Sequence, residues 1–197
     1  MPMDPLQTQL FTNQDIDEKV LIYNLRIVPP EPVYSQVLDY KKEFVDRYGE
    51  HILTNSSPHI TVAKFIMSAT LQNVLVENFE VLSDVSKFSL KVNGFGILES
   101  NGSLVLQINN SHDFEGLLAK IARLKRALLY HKAKNFGLIY TPSITIASFL
   151  EQEVLHESLS YFKYLDYYHH FFGVDHILIT SRENGKTWDW EHKINLK

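Results

Sequence analysis

One run of eight residues occurs twice in this chain. Pro58-His59-Ile60-Thr61-Val62-Ala63-Lys64-Phe65 reappears as Pro142-Ser143-Ile144-Thr145-Ile146-Ala147-Ser148-Phe149. Pro, Ile, Thr, Ala and Phe are common to both, and Val62/Ile146 exchanges one β-branched residue for another. Alternating β-branched residues predict a strand in each copy. A strand duplicated within one chain predicts two copies of one larger unit.

The surroundings repeat as well. The shift that takes His59 to Ser143 carries the predicted strand 20–27 onto 104–111, and the predicted helix 71–82 onto a second short helix at 154–164. It also brings Asn101-Gly102 close to Asn184-Gly185, two dipeptides with the signature of type I′ hairpins. Helical spacing is read over 32–48, closed by Gly49, and over 114–130, where Leu117, Leu118, Ile121, Leu124, Leu128 and Leu129 form an apolar side. Strands are read over 88–99, 103–108, 174–181 and 188–196. The expected fold is therefore α+β: a two-lobed, pseudo-two-fold duplication of β-α-β-α-β, with antiparallel sheets facing across a central groove. Residues 1–19 read as a polar extension and 20–197 as one bilobal domain, its halves meeting near 102/103.

Within each octad, strict alternation puts His59, Thr61 and Ala63 on one face and Ile60 and Val62 on the other; the second copy offers Ser143, Thr145 and Ala147. Should the two faces meet across the groove, an imidazole and several hydroxyls share one polar pocket. Net charge is -4, so any attraction for a polyanion must be local. Cysteine is absent, which removes disulfides and thiolate metal sites and fits a reducing cytosol. No signal peptide and no apolar run of membrane-spanning length is read, so no membrane partner is expected. No Gly-rich phosphate loop is present, and His169, His170, Asp175 and His176 match no metal-ligand spacing, so no metal or cofactor is expected. The aromatic run 161–172 reads either as a base-stacking platform or as packing of a helix end, and packing is preferred. Lys132 and Lys134 read as a solvated pair.

His-x-Thr is too short to identify anything alone, but its duplication in matched context resembles the two-histidine (2H) phosphoesterase superfamily, which includes 2′-5′ RNA ligase-like proteins and cyclic nucleotide phosphodiesterases. PHITVAKF matches that family's first motif, and PSITIASF its second except at the histidine; the likeness runs from about residue 20 to the end. The resemblance implies binding of an RNA or nucleotide phosphodiester, typically a 2′,3′-cyclic phosphate end or a 2′-5′ linkage, by a monomer. It also implies that Thr61, Ser143 and Thr145 hydrogen-bond the phosphate, and that metal-free acid–base catalysis is served here by His59 alone. Ser143 cannot exchange a proton near neutrality as imidazole does. The chain is then an impaired enzyme, a binding module that holds an RNA or nucleotide end, or an enzyme in which His131, His169 or His170 stands in for the missing imidazole.

Overall fold

The computed structural model describes residues 19–165 and 171–197. The elements among them are β1 (Val20–Ile27), α1 (Val33–Tyr48), β2 (Ile60–Ser68), α2 (Gln72–Phe79), β3 (Phe88–Leu98), β4 (Ser103–Ile108) and α3 (His112–Tyr130). They continue with β5 (Lys134–Leu138), β6 (Ser143–Ala147), α4 (Gln152–Phe162), β7 (Phe171–Val174), β8 (His176–Arg182) and β9 (Trp190–Asn195). Both octads form strands, β2 and β6, as their alternation predicts.

Every strand pair is antiparallel, and the sheet runs β7-β3-β4-β6-β2-β1-β8-β9, with β5 also paired to β2. The duplication is written into that order. The octads sit in the middle; β1 flanks β2 as β4 flanks β6, and β8 flanks β1 as β3 flanks β4. The pairing even slips at the same place in both copies. Thr61 and Ala63 face Arg26 and Leu25, while Thr145 and Ala147 face Val105 and Leu104, so Val62 and Ile146 are each an extra, bulged residue. Leu25 therefore corresponds to Leu104, and not to Asn109 as the octad shift alone implies. The second copy is longer between its first strand and its octad, where β5 is inserted.

The bulge also corrects the expected faces. Ala63 and Ala147 are fully buried, as are Leu25 and Leu104 opposite them, so neither alanine lies beside its threonine in the groove. On the core side Phe65 stacks on Phe79 of α2 at 6.1 Å, and Phe95 meets Tyr40 of α1 at 4.9 Å and Phe162 of α4 at 5.2 Å. Each such ring removes enough apolar surface from water to contribute about 1.5–3 kcal/mol. Helix α3 buries Phe114, Leu117, Leu118, Ile121 and Leu128, whereas Leu129 turns out to be half exposed. It starts before the expected 114 because the Ser111 hydroxyl caps it, accepting from the Phe114 amide at 3.2 Å.

Neither hairpin is the two-residue turn expected. A 3-10 turn at Glu99–Asn101 leads into β4, and only Gly102 is left-handed (φ 56°). Gly185 is left-handed too (φ 75°), but β9 begins at Trp190, which leaves 186–189 as a projecting connection. In the aromatic run, Phe162 and Phe172 are buried, in line with packing; 166–170 lie outside the described residues. Strand β5 escapes sequence reading because it is five residues long and interrupted by Gly137.

Candidate active site at the seam of the sheet

The two halves of the sheet join where β2 meets β6, and among the described residues that junction is a single pair, Ile60 with Ile144. Continued antiparallel alternation on either side of it turns His59 toward Thr145 and Thr61 toward Ser143. Ile60 and Ile144 are fully buried, while His59, Thr61, Ser143 and Thr145 are half-buried on the other face. Past this point β2 and β6 part: the Val62 carbonyl accepts from Ile139, and the Pro142 carbonyl accepts from Ile108. The four residues singled out in the sequence are thus brought to one seam.

Around the seam the side chains are held by specific partners. Asn24, buried in β1, donates from Nδ2 to Thr61 Oγ1 at 3.5 Å, which leaves the Thr61 proton free to donate to a ligand. The His59 ring bonds through Nδ1 to the Ser57 carbonyl at 2.8 Å. A carbonyl only accepts, so Nδ1 carries the hydrogen and Nε2 of the neutral ring keeps its lone pair. Burial holds His59 below the usual imidazole range, opposed by that Ser57 bond and reinforced by the charges of Arg26, Lys41 and Lys64.

Lys41 of α1 is a buried cation. Its Nζ donates to the Leu53 carbonyl at 2.6 Å, the Ser56 hydroxyl at 3.1 Å and the Ile146 carbonyl at 3.5 Å. It therefore ties the loop preceding the first octad to the second octad. Burial lowers its ammonium to about 8.

Two hollows flank the seam and differ in character. On the His59 side, a cavity of about 590 Å³ is lined among others by Arg26, His51, His59, Arg182, Lys186 and Trp188, with no carboxylate in its wall. On the Ser143 side, a smaller hollow of about 280 Å³ is lined by neutral groups, among them Asn93, Gln107, Asn109, Asn110 and Tyr140. Gln107 lies over Gly96, where any Cβ would overlap its side chain.

His131 does not reach Ser143. Lys134, just after it, pairs with Ile66, six residues along β2 from Ile60, or roughly 20 Å at strand rise. The expectation that His131 could stand in for the missing imidazole is corrected accordingly: β5 occupies the intervening length. His169 and His170 lie outside the described residues. The imidazole that sequence reading missed is His51, which lines the same cavity as His59; nothing in its local pattern marks it. Arg26 and Asn24 were legible in principle, as the polar alternates of β1. His176 pairs with Asp175, and no cluster of acidic or imidazole groups placed to hold a metal ion occurs among the described residues.

The family described as the 2′-5′ RNA ligase superfamily matches residues 29–186. The chain belongs to that superfamily. Its fold agrees: E. coli LigT in apo form superposes with a TM-score of 0.60 at 12% identity, over 89% of this chain and 98% of LigT. LigT complexed with 3′-AMP gives 0.58 at 14% identity over the same shares, and a protein described as a phosphoesterase gives 0.55 at 13%, over 91% of this chain and 96% of its own. At such identities these likenesses concern the fold. No curated protein matches the chain. In this superfamily member the two octad strands lie side by side, and no helix among the described residues is long and apolar enough to cross a membrane.

Proposed function

We propose that this member of the 2′-5′ RNA ligase superfamily acts on RNA or nucleotide phosphodiesters, a 2′,3′-cyclic phosphate end or a 2′-5′ linkage, by acid–base chemistry with one imidazole. The observation that carries the reading is the Ile60–Ile144 pairing, which gathers His59, Thr61, Ser143 and Thr145 on one open face. Nucleotide binding is supported by the fold relative LigT, solved with 3′-AMP and with ATP.

In this reading Thr61, Thr145 and Ser143 donate hydrogen bonds to the non-bridging phosphate oxygens. Neutral His59 takes a proton at Nε2 from a water or ribose hydroxyl, whose oxygen bonds to phosphorus. The P–O bond to the leaving ribose oxygen breaks, and that oxygen must be protonated. In a two-histidine site the second imidazole supplies the proton; Ser143 cannot, and solvent is the slower source. Missing one positioned acid typically costs about 10²–10⁴ in rate. The cysteine-free composition agrees with a reducing cytosol, where this reading puts the protein, as a monomer built on 20–197.

The same substitution favours a second reading, a binding module that holds an RNA or nucleotide end without turnover. A 2′,3′-cyclic nucleotide assayed with wild type, His59→Ala and Ser143→His separates the two. Slow wild-type turnover, lost in His59→Ala and raised about 10² or more in Ser143→His, is the enzyme result. Wild-type binding without turnover, with activity gained in Ser143→His, supports the module. If none of the three binds or reacts, the phosphodiester reading falls.

A further inference from the structure

The cavity beside His59 is built to hold more charge than one reacting phosphate needs. Arg26 on β1 and Arg182 on β8 point to the same side of the sheet, four residues apart along paired strands, a span of about 13 Å. Trp188, on the connection before β9, serves both: the guanidinium carbons lie 6.0 Å (Arg26) and 4.7 Å (Arg182) from its ring. Stacking orients a guanidinium and leaves in-plane donors free; at Arg26 one of these is taken by the Glu191 carboxylate. The donors are correspondingly underused. Arg26 gives one bond, from Nη2 to Glu191 at 3.1 Å; Arg182 gives one, from Nη1 to the Lys186 carbonyl at 3.3 Å; both Nε atoms are buried without a partner. The donors that can reach a ligand are the remaining Nη N–H groups of the two guanidiniums, which line the cavity. Lys186, on the same wall, adds a further cation at the rim.

We infer that this cavity is a second anion subsite, which receives another phosphate carried by the same nucleotide or RNA substrate whose reacting phosphate lies at the octads. The groups that bind it are the guanidiniums of Arg26 and Arg182, with Trp188 holding them in place. A planar fork suits two oxygens of one phosphate, and two forks meeting over one indole suit a phosphate with three or four accepting oxygens. The neutral hollow on the Ser143 side has no such cations, so the track is one-sided. This proposal rests on the phosphodiester reading above and extends it to substrates with at least two phosphates. The second phosphate is either a terminal one or the next internal linkage of a strand.

The test measures affinity by titration calorimetry for three ligands: adenosine 3′-monophosphate, adenosine 3′,5′-bisphosphate, and a 5′-hydroxyl dinucleotide with a 3′-phosphate. Wild type, Arg182→Met, Arg182→Lys and Lys186→Ala are compared, with circular dichroism to confirm folding. Wild type is expected to bind at least one two-phosphate ligand about 10-fold or more tightly than the monophosphate, and Arg182→Met to bring that ratio near one. The affinity for the preferred ligand should become less sensitive to salt in Arg182→Met. Arg182→Lys should recover part of the preference, and Lys186→Ala, a fold-neutral surface change, should reduce it more mildly. Preference for the bisphosphate alone identifies a terminal phosphate; preference for the dinucleotide as well identifies an internal one. Equal ratios in wild type and Arg182→Met, with the monophosphate still bound, overturn the subsite and leave the octad site standing. No binding of any ligand by wild type overturns both.

Discussion

His59 is kept neutral by its neighbours. Burial and the positive charges of Arg26, Lys41 and Lys64 all disfavour a second proton on the ring, and the Ser57 carbonyl only partly opposes them. A depressed imidazole stays neutral to lower pH than usual, so the acid limb of kcat/KM should fall below about 6.5. Removing the Arg26 charge in Arg26→Met should move that limb upward, read from the pH profile on a 2′,3′-cyclic nucleotide; an unmoved limb would mean that the charge does not reach the ring. Stability follows the same sign, lost as pH drops below about 6.5, because the unfolded chain then takes up the proton first. Lys41 gives a second, independent titration. Its ammonium is lowered from 10.5 to about 8 by burial, so between those values the unfolded chain holds a proton that the folded one has released. That contribution to stability rises with pH across the window, and the cost of the buried charge is fully present below about 8. Relative to Lys41→Met, the wild-type unfolding midpoint should therefore climb from pH 8 to 10. Parallel curves would show that Lys41 is not the group titrating.

At the scale of single elements, the turns and bulges position the octads. Gly102 is left-handed, and a Cβ there would sit 2.7 Å from the Leu150 carbonyl that follows the second octad; Gly185 is left-handed with open space around it. Both alanine substitutions carry the left-handed penalty of about 1–2 kcal/mol. Gly102→Ala should cost measurably more in denaturant unfolding, because backbone cannot give way as a side chain can. Equal losses would mean that the φ angle alone decides. The bulges at Val62 and Ile146 matter for a different reason: each rotates the strand so that Thr61 or Thr145 faces the groove while the next-but-one Ala packs inward. Without the bulge, period-two alternation would place alanine where Lys64 now reaches the open side, opposite Asn24.

Across the whole molecule, the strands cross between sequence halves. β3 precedes residue 102 but pairs with β4, and β8 follows it but pairs with β1. Neither half of the chain holds a complete half-sheet. Expressed alone, 20–102 and 103–197 should each lack a cooperative thermal transition, and mixing them should restore one, monitored by near-ultraviolet circular dichroism. Independent cooperative folding of either fragment would show that the crossed pairs are dispensable. Among the described residues the joining seam is a single pair, so the proposed groove lies where the two halves of the sheet are least zipped together.

Much of this was legible in the chain itself. Repetition of an octad with its neighbouring elements implies two like units, because equal local sequence in equal context folds equally, and period-two alternation marks His59, Thr61, Ser143 and Thr145 as candidates. What alternation misses is anything set by long-range pairing. The bulge that turns Ala63 inward depends on how β1 lies against β2, and the insertion of β5 is what carries His131 away from Ser143. Arg26 lies on β1, and Arg182 and Trp188 belong to the β8–β9 hairpin far along the chain; only the pairing of β1 with β8 brings their charges and ring to one wall. Two matched strands and one absent imidazole are already present in the order of residues. Which groups surround the remaining imidazole depends on the folded sheet, because charge and solvent act through space and not along the chain.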